Sequence, residues 1–417
     1  MSTPHLPPAT TGGLPVSRNV AVIAFTAGIN VAAMMMYAPV LSLILRDLGA
    51  SDLVIGMSNA AWLILSAVCQ YFGGRLADRL GRVPVIAWPG VLSGVSLALC
   101  ALARSWPLFV VLYAVYQAGH GIQGPVFSSI VGESVPPHLR GRAFSRIEIA
   151  IGAGVIVGPL VGSLLMSTIG LNWVLVVSGV LLVGAASARL VYLRETKPGS
   201  AQQATFALAS LARPPLARAM VVLISVNAMF ALTLWGPFIS LHAADVMGLS
   251  RPAINQLAAV GSAVGMAATF LAGHVVTTAG APRVLRFAMP ALALAGVIWS
   301  LQRTTVLIVL AYIAMYAMFE FLVIASDTFK VQAVPDNVRG RALGAMGMAN
   351  NLVTAPLIPA ASALRASFGS GAPFYVALVP AAIGVWAIVS WGLHERRKTP
   401  IEISTVSAQG SEVSHDR

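Results

Sequence analysis

Apolar residues in this chain come in long, nearly unbroken stretches rather than in the one-sided stripes of soluble helices. They run at about 19–45, 53–73, 84–103, 107–132, 143–168 and 171–193, and again at 219–244, 253–276, 284–302, 305–331, 342–366 and 373–393. Each is close to the roughly 20 apolar residues that a bilayer-spanning helix needs. A polar break rich in Pro and Gly separates the two sets. The pattern predicts an all-α polytopic membrane protein with twelve transmembrane helices, six and six. Its expected organisation is a tail at 1–17, a six-helix bundle at 18–193, a loop at 194–216, a second bundle at 217–394 and a tail at 395–417. Residues 1–17 lack the basic, apolar and small-residue order of a cleaved leader, so both tails are expected to be cytoplasmic.

Composition narrows the class. Of 417 residues, 57% are hydrophobic and 10% charged, with mean hydropathy +0.82. Soluble domains carry about 25% charged residues, so a soluble enzyme, a disulfide-rich secreted domain and a disordered chain are all excluded. The net charge of +12 would suit nucleic acid, but the positions argue for topology instead. All but five of the 26 basic residues fall in segments predicted to be cytoplasmic, Arg189 counted among the flanks of the central loop. The five exceptions are Arg46, Arg104, Arg251, Arg303 and Arg365. Basic residues in short loops stay inside, so no nucleic-acid partner is expected. Cys69 and Cys100 both sit in apolar runs and offer neither a disulfide framework nor metal spacing. There is no Ser/His/Asp set, no phosphate loop and no implied cofactor.

The halves resemble each other. VPPHLRGRA at 135–143 returns as VPDNVRGRA at 334–342, an offset of 199, shared by Gly49 with Gly248, Gly74 with Gly273, Gly81 with Gly280 and Arg104 with Arg303. PVLSL at 39–43 matches PFISL at 237–241, offset 198. Two six-helix repeats imply a substrate site between them near the midplane, reached by rocking one half against the other. That is the arrangement of a small-molecule transporter, with the lipid bilayer as its other partner and a monomer as the expected unit.

The loop Gly74-Arg-Leu-Ala-Asp78-Arg79-Leu-Gly81-Arg82 resembles the signature loop of the major facilitator superfamily and lies at the position that signature requires. The glycines permit tight turning, and the Asp78 carboxylate suits a helix N-terminus. The resemblance implies that Asp78 latches onto the start of the eleventh helix, near Gly340 to Ala342. It also implies that Arg82 pairs with Glu133 at the end of the fourth. The second copy has Thr277 and Thr278 where the first has Asp78 and Arg79, so such a latch is one-sided. In the fifth span, Gly154, Gly158, Pro159 and Gly162 resemble the Gly-Pro motif of the family's proton-coupled exporters. Glycines at this spacing also serve plain close packing. One departure opposes the exporter pattern: Gln117 stands where drug–proton antiporters carry an arginine, and the first span has no acid. Proton coupling has then moved elsewhere or is absent.

Charges inside a span are costly and mark function. Glu320 lies past the midplane of the tenth span and Asp327 near its cytoplasmic end, and Tyr312, Tyr316, Glu320 and Asp327 share one stripe. Glu320 is the leading proton-carrier candidate. Asp327 has Lys330 three residues on, a local pair. Glu148, six residues past Arg142 and so also placed for a cytoplasmic rim pair, and His120, of a type that can titrate near neutral pH but serves equally in polar packing, complete the proton-coupling set. Asp245 and His242 end the seventh span as expected rim residues. By resemblance to the family fold, the cavity wall comes mainly from the first, fourth, seventh and tenth helices. Its candidates are Thr26, Asn30, Tyr37, Asn59, Trp62, Gln117, Asn227, Trp235, Tyr312, Tyr316 and Glu320. No paired arginines are present to grip a phosphate or dicarboxylate, which leaves a neutral or cationic amphipathic compound. The leading reading is proton-driven efflux of a drug or metabolite from a bacterial cytoplasmic (inner) membrane. An importer or facilitator of the same fold, and a membrane sensor or assembly partner that does not transport, are the alternatives.

Overall fold

The computed structural model describes residues 17–196, 214–334 and 339–398, so both tails and most of the central loop lie outside the described residues. Regular structure within them is helical. The first half holds α1 (Arg18–Met35), α2 (Leu41–Asp47), α3 (Asp52–Leu80), α4 (Arg82–Cys100), α5 (Trp106–Ser134), α6 (Arg140–Thr168) and α7 (Leu171–Tyr192). The second holds α8 (Pro214–Leu232), α9 (Phe238–Asp245), α10 (Arg251–Ala279), α11 (Ala281–Leu301), α12 (Thr305–Ala333), α13 (Arg339–Thr354), α14 (Leu357–Phe368), α15 (Ala372–Val376) and α16 (Leu378–Lys398). Among the described residues, nine helical stretches are long and apolar enough to cross a membrane. Helix α5 and the interrupted pairs α8–α9 and α13–α14 occupy the remaining stretches expected from hydropathy.

Breaks in the helices fall where proline removes a backbone donor. The α1–α2 break contains Pro39, the α8–α9 break ends at Pro237, and the α13–α14 break ends at Pro356. The repeat is visible in the backbone. Helices α3 and α10 have the same length and begin 199 residues apart, as do α5 and α12. The positive-φ glycines form three pairs at that same offset: Gly49 with Gly248, Gly81 with Gly280 and Gly170 with Gly369. Each marks a turn that an L side chain would strain.

Within the first half α1 packs on α6 and α7, and α5 on α3 and α4. In the second, α12 packs on α10 and α11, and α8 on α16. The halves meet along α6–α10 and α3–α14. Close approach is built from small residues. A Cβ at Gly154 would lie 2.6 Å from the Gly28 carbonyl oxygen, and one at Gly158 would lie 2.8 Å from Met35 Cβ. Gly162 sits at the seam between halves, where Asn255 of α10 donates to the Met36 carbonyl at 2.7 Å. The fifth-span glycines therefore have a packing role against α1 and α10. Outward, α4 and α11 expose Trp88, Leu92, Phe287 and Leu294, a surface suited to lipid.

Candidate functional site

A cavity of about 970 Å³ lies between the halves, lined from α1, α6, α8–α9, α10 and α12. It runs from the breaks after α1 (Met34, Met35, Pro39) and α8 (Leu234, Trp235) to Ser145 and Glu148. Those two lie within the first turns of α6, near the end of the molecule that carries Arg75, Arg79 and Arg82, here termed the basic end. Its size suits one drug-sized organic molecule.

The second half supplies most of the chemistry. Phe230, Trp235 and Phe319 form a cluster with ring centroids 4.4–5.4 Å apart, and Tyr316 lies 5.0 Å from Tyr312 and 6.3 Å from Phe319. Trp235 is 66% exposed because it stands in the broken segment and faces open space. One turn from Tyr316, the Glu320 carboxylate accepts from Thr269 Oγ1 at 3.1 Å. Among the described residues it has no basic partner. Gly265 makes room for it, since a Cβ there would already lie 3.4 Å from Glu320 Oε1. The Glu320 carboxylate, a set of π faces and Met34, Met35 and Met266 give an adaptable, largely apolar wall, with Glu148 of α6 a second acid toward the basic end.

At the basic end the signature loop is tied within its own half. Arg82 is nearly buried and pairs with Asp78 at 2.8 Å and Glu133 at 3.1 Å. Glu195, which sequence reasoning missed, accepts from the backbone N–H groups of Arg82 and Val83 at 2.6 and 3.0 Å, capping α4 where its free donors and dipole favour an anion. Thr196 donates to Glu133 at 2.5 Å. The expected Arg82–Glu133 pair is present. Asp78 pairs with Arg82, and the expected latch to the start of the eleventh span involves Gly340 and Arg341, whose surroundings lie outside the described residues, while Ala342 is buried.

The structure brings together Glu148, Trp235, Tyr312, Tyr316 and Glu320 from the sequence candidates. It does not bring Thr26, Tyr37 or Trp62 to the cavity: all three are buried inside the first bundle. Tyr37 stacks edge-on to Tyr113, which packs on Trp62, and Thr26 bonds back to its own helix. Asn59 and Asn227 likewise bond to backbone carbonyls one turn back, at 2.8 and 3.0 Å. Asn30 and Gln117 are half-buried and do not line the cavity, and neither does His120, which is exposed beside the Tyr116 ring. Asp327 pairs with Lys330 at 2.5 Å, away from the cavity.

Two further expectations need correction. Arg189 is no loop charge: it is 3% exposed, and donates to Thr26 Oγ1 at 3.0 Å and Gln123 Oε1 at 2.7 Å in the first bundle. It lies close to the end of α7, where a count of flanking charges cannot tell an inward from an outward side chain. His242 is no solvated rim residue either. Its ring is buried between Ser370 and the Ser300 carbonyl, at 3.1 and 3.0 Å.

Comparisons with known proteins agree with this architecture. The family model described as Major Facilitator Superfamily matches residues 23–355. The quinolone resistance protein NorA of Staphylococcus aureus is 27% identical over 124 residues, 30% of this chain and 32% of that protein. Multidrug resistance protein 3 of Bacillus subtilis (strain 168) is 25% identical over 167 residues, 40% of this chain and 32% of that protein. The chain thus spans about a third of the length of these curated relatives. A crystal structure of a bacterial homologue of the human lysosomal transporter Spinster, inward-facing and occupied, superposes with TM-score 0.69 and 19% identity. That superposition covers 92% of this chain and 98% of the other.

Proposed function

The chain belongs to the major facilitator superfamily, and from that premise we propose that it is a proton-coupled exporter of small amphipathic organic compounds, cationic or neutral, working by alternating access. In this reading the chain crosses a bacterial inner membrane twelve times, with both termini and the basic end on the cytoplasmic side. The cavity, reaching toward the basic end, then takes substrate from inside. The resistance proteins that share part of its sequence support efflux as the direction.

The observation that carries the reading is Glu320: an acid without a basic partner among the described residues, set in an aromatic wall. A bound organic cation gains from both the carboxylate and the π faces of Trp235, Tyr316 and Phe319. A proton on Glu320 removes that attraction and releases it. One carboxylate thus serves two competing ligands, and their exchange couples the opposing fluxes. The test uses inside-out vesicles with an imposed proton gradient read by a pH-sensitive dye. Cationic, neutral and anionic compounds are added to wild type and Glu320→Gln. Gradient dissipation by a compound with wild type alone supports the proposal. Equilibration of labelled compound without proton movement in both would make the protein a facilitator and Glu320 structural. That second reading is favoured by the neutral Gln117 on α5 and by the lack of an acid in the first span.

A further inference from the structure

The end remote from the signature loop is closed by charge, and the charges are arranged in a way that duplication alone would not produce. Arg46 pairs with Asp245, Arg251 with Asp47, and Arg365 with Asp52, so three ion pairs cross between the halves. Arg365 also reaches Asp245 at 2.5 Å, and its side chain is 6% exposed. The six groups are electrically balanced and form one chain from Asp52 through Arg365 and Asp245 to Arg46, with Asp47 and Arg251 beside it.

The repeat register explains the first of these pairs and the charge signs at a second equivalent position. Arg46 and Asp245 are 199 residues apart, as are Asp52 and Arg251, so each pair occupies equivalent positions in the two halves. A two-fold axis brings equivalent positions toward each other. An unaltered duplicate would therefore set Arg46 against a second arginine. Here both equivalent positions carry inverted charge: Arg46 meets Asp245 directly, while Asp52 and Arg251 find their opposite-half partners in Arg365 and Asp47. Arg365 adds a cation with no counterpart, since Met166 is its equivalent. Underneath, a Cβ at Gly56 would collide with Ser362 and touch Pro359 Cα at 3.0 Å, so the halves are already in contact there. The basic end has no such device among the described residues. Its ion pairs, Arg82 with Asp78 and Glu133 and Lys330 with Asp327, each stay within one half.

We infer that the inverted charges form a lock that holds the remote end shut and sets the resting equilibrium toward the state open at the basic end. This rests on the alternating-access reading. Ion pairs across a closed gate stabilise only the state in which the gate is closed, so they shift the population by their full coupling strength.

The experiment uses the full chain in a cysteine-free background (Cys69→Ser, Cys100→Ala) with Ile239→Cys, a cavity position beside the α8–α9 break. Labelling by a membrane-impermeant maleimide is timed from each membrane face, in cells and in inverted vesicles. Asp47→Arg and Arg251→Asp alter surface positions and leave the packed core untouched. Each alone is expected to speed labelling from the remote face roughly three- to tenfold, since it replaces an attraction by a repulsion. The double swap Asp47→Arg/Arg251→Asp is expected to return labelling to the wild-type rate. Unchanged rates in the single variants would overturn the lock, and so would a double variant as open as the singles. In either case, two-sided labelling of wild type under a proton gradient would leave alternating access standing. If no variant and no gradient ever admits label from the remote face, alternating access falls and the lock with it.

Discussion

Helices α5 and α12 are the same element twice: equal in length, 199 residues apart, each packed between two helices of its own half. Their interiors are nevertheless used in opposite ways. In the first half Gly121 of α5 faces Ser66 of α3, and a Cβ at Gly121 would lie 2.6 Å from the Ser66 carbonyl oxygen. The equivalent residues in the second half are Glu320 of α12 and Gly265 of α10. The small residue has changed sides of the same helix–helix contact, and the room it leaves holds the acid. Tyr113 and Tyr312 are likewise equivalent, yet Tyr113 belongs to a buried cluster with Trp62 and Tyr37, while Tyr312 borders the cavity. Duplication kept the scaffold, and exchange of small for large residues across one contact put an acid within the aromatic wall in one half only.

The most severe way to break that asymmetry is to remove its acid. Glu320→Gln is expected to abolish gradient dissipation in vesicles, a loss of at least about 100-fold, because a neutral amide neither binds a proton nor attracts a cation. The next largest effects compare the aromatic positions beside the two helix breaks. Tyr37→Ala should lower stability by about 3–5 kcal/mol, the cost of emptying a packed aromatic site. Trp235→Ala should leave the unfolding temperature nearly unchanged and weaken binding of an aromatic cation about tenfold, through lost π contact. Thermal unfolding in detergent and ligand competition separate the two.

Adding a methyl group sharpens the comparison of the small residues. Gly121→Ala is expected to destabilise by about 1–3 kcal/mol, because backbone must shift. Gly265→Ala should cost less than about 1 kcal/mol, since its Cβ would meet Glu320 at an ordinary contact distance. The smallest effects belong to the signature loop, present in the first half alone. Asp78→Asn should slow transport a few-fold with membrane insertion intact. Glu195→Gln should cost about 0.5–1 kcal/mol by weakening the α4 cap. Full transport by Asp78→Asn would make the loop a topology signal only.

Much of the scaffold is legible in the sequence. The positions of the helices, prolines and glycines follow from local sequence and the 199-residue register from the internal repeat, while the Arg82–Glu133 pair is what the resemblance of the loop implies. Of the site, Glu320, Tyr312, Tyr316, Trp235 and Glu148 were legible because an acid or an aromatic stripe within an apolar run is conspicuous. Phe319 carried no such signal, being an apolar residue in an apolar helix. Glu195 lay in a polar stretch where any acid looks solvated. Arg189 was misread for a related reason, since a charge at a helix end is ambiguous until its partners on α1 and α5 are known.

The sequence by itself determined where the chain is helical and that it is built twice. In a bilayer each helix must satisfy its own backbone, so span and break are encoded locally. Only the tertiary structure decided which face of each helix meets the cavity, which meets its own bundle, and which end of the molecule is shut. The physical reason is that lipid and bundle interior are equally apolar. A helix buried in one and exposed to the other carries no inside–outside periodicity. Tyr37 and Trp235 therefore look alike along the chain and diverge only when neighbouring helices close around one and leave the other open.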